Sequence, residues 1–162
     1  MVILRRLNLT LINMALPYLP SGREILYVKF ENVFLQEAKR IAETKSSDHA
    51  HPTGAVLVNE NEIIGRGANV STYHEKQGCR RKELKVPTGQ GYELCEGCSP
   101  HNHAEQTAIA DAKKGTAQEK IAGSDLYLWG HWWCCQSCWD SMIEADIKNV
   151  FLVEDAQERF KI

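Results

Sequence analysis

Basic residues never gather into a stripe in this sequence. Arg80-Arg81-Lys82 is the longest basic run, and the formal net charge is −2. Proteins that bind nucleic-acid backbones usually carry a basic face, so nucleic acid is disfavoured as a partner and a small molecule is favoured. Long apolar runs are missing too. The opening "MVILRRLNLTLINMALPYLP" is broken by Asn8, Thr10 and Asn13, and no small-residue cleavage site follows it. It is also far too short to span a bilayer. Residues 1–22 are therefore expected to form a flexible extension, with Met14 as an alternative start and no membrane partner. Without a secretion signal the expected compartment is the reducing cytoplasm, where clustered cysteines bind metal more often than they pair. Internal repeats and low-complexity tracts are absent as well, and 162 residues suit a single domain, here 23–162.

What is present is an alternation of helical and extended patterns. "REILYVKF" (23–30) suits a short strand or an extended arm. In 32–45, Phe34, Leu35, Ala38, Ile41 and Ala42 share one helical face behind Asn32, a capping residue. "GAVLV" (54–58) and "EIIGRG" (62–67) are apolar runs joined by the turn "NENE". "HAEQTAIADAKK" (103–114) places Ala104, Ala108 and Ala112 on one close-packing helical face. "DLYLWG" (125–130) and "NVFLVE" (149–154) read as strands, with a helix beginning at Cys138 between them. This order predicts an α/β fold: a three-layer α/β/α sandwich with a mixed central sheet. Residues 71–100 lack a period and hold Gly78, Pro87, Gly89, Gly91, Gly97 and Pro100, so a functional loop or insertion is expected there.

Chemistry concentrates at two helix starts. His103 and Glu105 stand as "HAE" at one, and Cys135 and Cys138 form a C-x-x-C at the next. One histidine and two thiolates around Zn²⁺ leave a fourth position open for water, which is the catalytic arrangement of that metal. Helix N-termini favour the thiolate form. Glu105, two residues from His103, is placed to shuttle protons and not to ligate. Cys134 is an alternative to Cys135 as ligand, at C-x-x-x-C spacing, although C-x-x-C is the usual one. A second set, Cys79, Cys95, Cys98 and His101, also has ligand spacing, with His74 as a substitute for the histidine. A structural Zn²⁺ that pins the loop and a set of free thiols both stay open for it.

His-x-Glu with a later C-x-x-C is the pattern of the zinc-dependent base deaminases. Over residues 32–154 the chain resembles the cytidine and deoxycytidylate deaminase superfamily. "HPTGAVLVNENEIIGRGAN" is similar to that family's first hairpin, and "GCRRKELKVPTGQGYELC" followed by "HAEQTAI" resembles the bacterial deoxycytidylate deaminase branch. The resemblance implies a cytidine deaminase-like fold and hydrolysis of a cytosine nucleotide, dCMP to dUMP, with ammonia released. It implies Glu105 as catalytic residue, Zn²⁺ on His103, Cys135 and Cys138, Asn69 against the substrate's sugar, backbone at Ala104 against its base, and a homo-oligomer. The sequence departs from the family where Cys134 replaces a proline, where "GHWW" precedes it, at Thr107, and in the longer "EGCSPHN".

Several readings stay open at this level. Another amine is an alternative substrate: a nucleoside, guanine, or a base in tRNA or single-stranded DNA. So is a non-catalytic zinc-binding module. Arg80, Arg81 and Lys82 either grip a phosphate or form a solvated loop. Trp132 or Trp133 is expected to line the pocket, while tryptophans beside a strand more often belong to the core. Asn69 either meets substrate or caps a turn.

Overall fold

The computed structural model describes residues 16–161. Five strands form one sheet in the order β1-β5-β4-β2-β3. They are β1 (Ile25–Val28), β2 (Gly54–Asn59), β3 (Glu62–Ala68), β4 (Asp125–Trp129) and β5 (Asn149–Val153). The hairpin β2–β3 is antiparallel and turns at Glu60 and Asn61, both with positive φ, as a tight two-residue hairpin requires. β4 runs antiparallel to β2, whereas β5 and β1 continue parallel to β4. The sheet is therefore mixed, as the element order predicts. "REILYVKF" contributes an edge strand, and the last edge of the sheet is filled from the beginning of the chain.

Helix α1 (Val33–Lys45) starts at Asn32, whose Oδ1 accepts the Phe34 and Leu35 amides at 3.0 Å. Strand alternation separates the two faces of the sheet. Gly54 of β2 faces α1, and a Cβ there would collide with the Ala38 carbonyl. Gly67 of β3 pairs with Ala55 and so faces the other way, onto helix α4 (Ala104–Gly115), where a Cβ would strike the Ala108 amide and Thr107. The fold has three layers as a result: α1 on one face of the sheet and α4 on the other. Helix α6 (Gln136–Glu144) packs beside α4. Leu35, Ala38, Leu57, Ala108, Leu126, Trp139, Met142 and Leu152 are among the buried core residues.

Three features differ from the sequence expectation. Residues 71–100, expected as a functional loop or insertion without a period, form a chain of short turns, including α2 (Thr72–Gln77) and α3 (Arg80–Glu83). Two further short helices, α5 (Gln118–Ile121) and α7 (Ala156–Phe160), were not legible from periodicity; α7 lays Phe160 edge-on against Trp129 at 5.1 Å. Residues 1–15 of the expected extension lie outside the described residues, but Tyr18 packs against the core. Among the described residues, no helix is long and apolar enough to cross a membrane.

Two outcomes follow from the packing and charge. Gly67→Ala should lower the thermal midpoint and destabilise the fold by about 1–3 kcal/mol, since Ala108 and Thr107 leave no room for a methyl. Glu37 is held at about 2, below its ordinary 4.5, by hydrogen bonds first from Arg40 and then from Arg66. Its folded state therefore binds fewer protons than its unfolded state between those values, and its contribution is intact above pH 4.5 and lost as the pH falls toward 2. Urea midpoints of the wild type and Glu37→Gln should differ slightly at pH 6 and converge as the solution is acidified.

Candidate metal centre and active site

β3 leads through the long connection into α4, and β4 leads through residues 130–135 into α6, so both helices begin at one end of the sheet. Their first flanking residues are His103 and Cys135, and neither makes a side-chain capping bond. The His103 Nδ1 lies 3.6 Å from the Cys135 Sγ and 3.5 Å from the Cys138 Sγ. Tetrahedral zinc, with Zn–S near 2.3 Å and Zn–N near 2.0–2.1 Å, separates S from N by about 3.6 Å. The three side chains stand at that spacing, so the donor set fits the metal.

The protons tell the same story. The Cys138 thiol and the His103 ring hold Cys135 down at about 5, against the opposing effect of burial. Cys138 is driven up by Cys135 and by its own burial. Binding of a divalent cation by such a pair would release thiol protons. Burial works against a charge on His103, but the Cys135 thiolate and Glu105 outweigh it and raise its pKa. Tyr92 packs edge-on against the His103 ring at 5.1 Å, with the Arg81 guanidinium 4.5 Å over its other side.

Glu105, in the first turn of α4, is 5% exposed, and its residual exposure opens into a cavity of about 700 Å³ shared with His103, Cys135, His131, Trp132 and Trp133. Both tryptophans of "GHWW" thus line the cavity, whereas Trp139 is buried in the core and Trp129 meets α7. Cys134 has no exposed surface and stands outside the His103–Cys135–Cys138 group. Burial and then the nearby Glu105 carboxylate push its thiol far up, so it remains protonated and packed.

Asn69 and Ala104 reach the cavity wall. The Asn69 side chain is already engaged: its Oδ1 accepts the Thr53 amide at 2.9 Å and the Ser46 hydroxyl, and its Nδ2 donates to the His51 carbonyl at 3.0 Å. One amide hydrogen is left for a substrate. Thr107 Oγ1 donates to the Ala68 carbonyl at 2.9 Å and so ties α4 to the end of β3. Arg81 donates to the Gln90 and Pro87 carbonyls at 2.8 and 3.1 Å, Arg80 pairs with Glu83, and Lys82 lies 3.6 Å from Asp48. The basic run is therefore largely spent on its own loop.

The second cluster forms with a different histidine. His74, Cys79, Cys95 and Cys98 bring their ligand atoms within 4.8 Å of one another, and His101 is not among them. His74 Nε2 stands 3.4 Å from the Cys95 Sγ and 3.5 Å from the Cys98 Sγ, and the Cys79 and Cys98 sulfurs are 3.4 Å apart. The reason is local. The turn at Pro100–Asn102 leaves His101 exposed, with its Nδ1 2.6 Å from the Ser99 hydroxyl. Meanwhile α2 lays His74 over Gly97, where any Cβ would overlap the imidazole. His131, the histidine of the divergent "GHWW", also lines the cavity, and its residue type and spacing gave no sign of a site role.

A family profile described as "Cytidine and deoxycytidylate deaminase zinc-binding region" matches residues 28–154. No match is found among curated proteins. Among solved structures, a guanine deaminase from Bacillus subtilis is 26% identical, over 80% of this chain and 70% of that one, with a TM-score of 0.50. The dCMP deaminase of cyanophage S-TIM5, in complex with dCMP and dUMP, is 20% identical over 79% of this chain and 87% of that one, with a TM-score of 0.51. RibD from Acinetobacter baumannii is 19% identical over 74% of this chain, with a TM-score of 0.42, and this chain spans only 26% of its length. With most of its length matched by the profile and its histidine and cysteines gathered as zinc requires, the chain belongs to the zinc-dependent cytidine and deoxycytidylate deaminase family.

Proposed function

We propose that this zinc-binding deaminase acts on a cytosine nucleotide, with dCMP to dUMP as its reaction. The observation that carries the reading is the triangle of His103, Cys135 and Cys138 with Glu105 opening into the same cavity. His103, Cys135 and Cys138 would hold Zn²⁺. The bound metal supplies Lewis acidity that makes water a nucleophile near neutral pH. Glu105 accepts a proton from that water and delivers it to N3 of the ring while the water oxygen bonds to C4. The carboxylate then takes the remaining proton from the new C4 hydroxyl and passes it to the amine, which leaves as ammonia as the C4–N bond breaks and the carbonyl forms. The first amides of α4, at Ala104, hold the polar edge of the base, and Trp132 and Trp133 exclude bulk water from the cavity. The His74, Cys79, Cys95 and Cys98 set would hold a second Zn²⁺ with no open position, a structural site that pins 71–100. Residues 23–162 then act as one domain, with this Cys/His-rich insertion as its lid.

One observation favours a second substrate. Arg81 is committed to loop carbonyls and Lys82 lies 3.6 Å from Asp48, so among the described residues Lys161 is the one cation on the cavity wall with no carboxylate or carbonyl partner. A weakly basic cavity suits an uncharged base, and the guanine deaminase likeness supports that reading. Mass spectrometry of zinc-loaded protein with dCMP, CMP, deoxycytidine, cytosine, guanine, single-stranded DNA and tRNA decides between them. Conversion of dCMP supports the proposal; conversion of guanine alone overturns it.

Glu105→Ala should lose roughly 10²–10⁴-fold or more in kcat while retaining zinc; undiminished turnover would refute the mechanism. Metal analysis should find two zinc ions per chain. Cys138→Ser should leave one and abolish activity. His74→Ala should also leave one and lower the thermal midpoint, whereas His101→Ala should leave two.

A further inference from the structure

His131 sits between β4 and the cysteines of α6, on the wall of the cavity that holds His103 and Glu105. Its Nδ1 accepts the backbone amide of Trp132 at 3.1 Å and that of Trp133 at 3.4 Å. A ring nitrogen that accepts carries no proton. The acceptor role of Nδ1 leaves the ring uncharged, with its one proton on Nε2. Among the described residues Nε2 has no hydrogen-bond partner, yet it is not one of the buried polar atoms sealed from solvent. The side of the ring away from the backbone therefore opens into the cavity. Edge-on packing against Trp133 at 5.6 Å fixes its plane. The site thus presents one rigid neutral donor on the wall of the cavity that also holds Glu105, with its tautomer set by the backbone.

We propose that His131 is a specificity-determining residue whose Nε2–H donates to the ring carbonyl oxygen of the substrate, O2 of a cytosine. The inference rests on the cytosine reading above and adds the atom that is recognised. Beyond the reacting amine, the polar edge of cytosine offers only acceptors. An adenine has C–H beyond its ring nitrogen and leaves the donor unmet. A site built to satisfy a polar group discriminates strongly against ligands that leave it unpaired.

The experiment crosses a protein change with a substrate change. His131→Asn keeps a side-chain oxygen for the Trp132 amide but does not reach the cavity; His131→Gln restores a donor farther out. Wild type and both variants, zinc-loaded, are assayed on a cytosine nucleotide and on its 2-thio analogue, whose sulfur is a poor acceptor. The wild type should prefer oxygen over sulfur by roughly 10- to 100-fold in kcat/KM. In His131→Asn that preference should collapse toward unity, with zinc content unchanged, and His131→Gln should recover part of it. An equal loss on both substrates in His131→Asn would mean a structural role and overturn the inference while leaving the cytosine reading intact. Absence of any cytosine conversion by the wild type would overturn both.

Discussion

The structure depends on how closely α4 lies on the sheet. Gly65 and Gly67 of β3 have no side chains where α4 brings Ala104, Ala108 and Ala112, and the helix backbone settles onto the strand. That approach, with the Thr107 hydroxyl bound to the Ala68 carbonyl, fixes the start of α4 relative to the start of α6. Two helix N-termini consequently meet with free amides and no side-chain caps, in a buried place. There the same electrostatic preference serves a thiolate, a metal and the polar edge of a substrate. The chemistry-bearing side chains are few, and what positions them is a run of small residues that carry no chemistry.

Much of this was legible in the residues. The every-fourth alanines of α4, the Asn32 cap, the strand runs and the C-x-x-C after a strand each report local geometry, and local geometry is what spacing encodes. The edge position of β1 was less evident, because a four-residue strand has no period of its own and takes its place from β5. The choice of His74 over His101 lay beyond spacing altogether: the turn at Pro100–Asn102 and the missing Cβ of Gly97 decide it. Likewise, the sequence leaves open whether Arg81 grips a phosphate or sits in a solvated loop, and the structure turns its donors onto the Gln90 and Pro87 carbonyls. His131 stands out in sequence only as part of "GHWW", because spacing does not show that its Nδ1 accepts the amides of the two residues after it.

The connection from 71 to 100 has little apolar content, yet it forms one wall of the cavity. Its order comes from polar and sulfur contacts: the Cys/His cluster at one side, and Arg81 stacked on Tyr92 at the other. Tyr92 in turn touches His103. The insertion thereby touches the metal triangle through the Tyr92 ring, so whatever orders the loop also restrains the imidazole.

The sheet also has a temporal aspect. β1 pairs with β5, and the Arg23 guanidinium donates to the Ile147 carbonyl, 124 positions along the chain. During synthesis β1 leaves the ribosome long before β5, its neighbour among the described residues, exists. Until residues 149–153 emerge, β1 must wait as an unpaired apolar segment, while β2, β3 and β4 already have one another. Closing the sheet is therefore a late, long-range event, of the kind that slows folding and exposes strands to wrong partners. The short length of β1, flanked by Arg23, Glu24 and Lys29, limits how far such a strand can mispair while it waits.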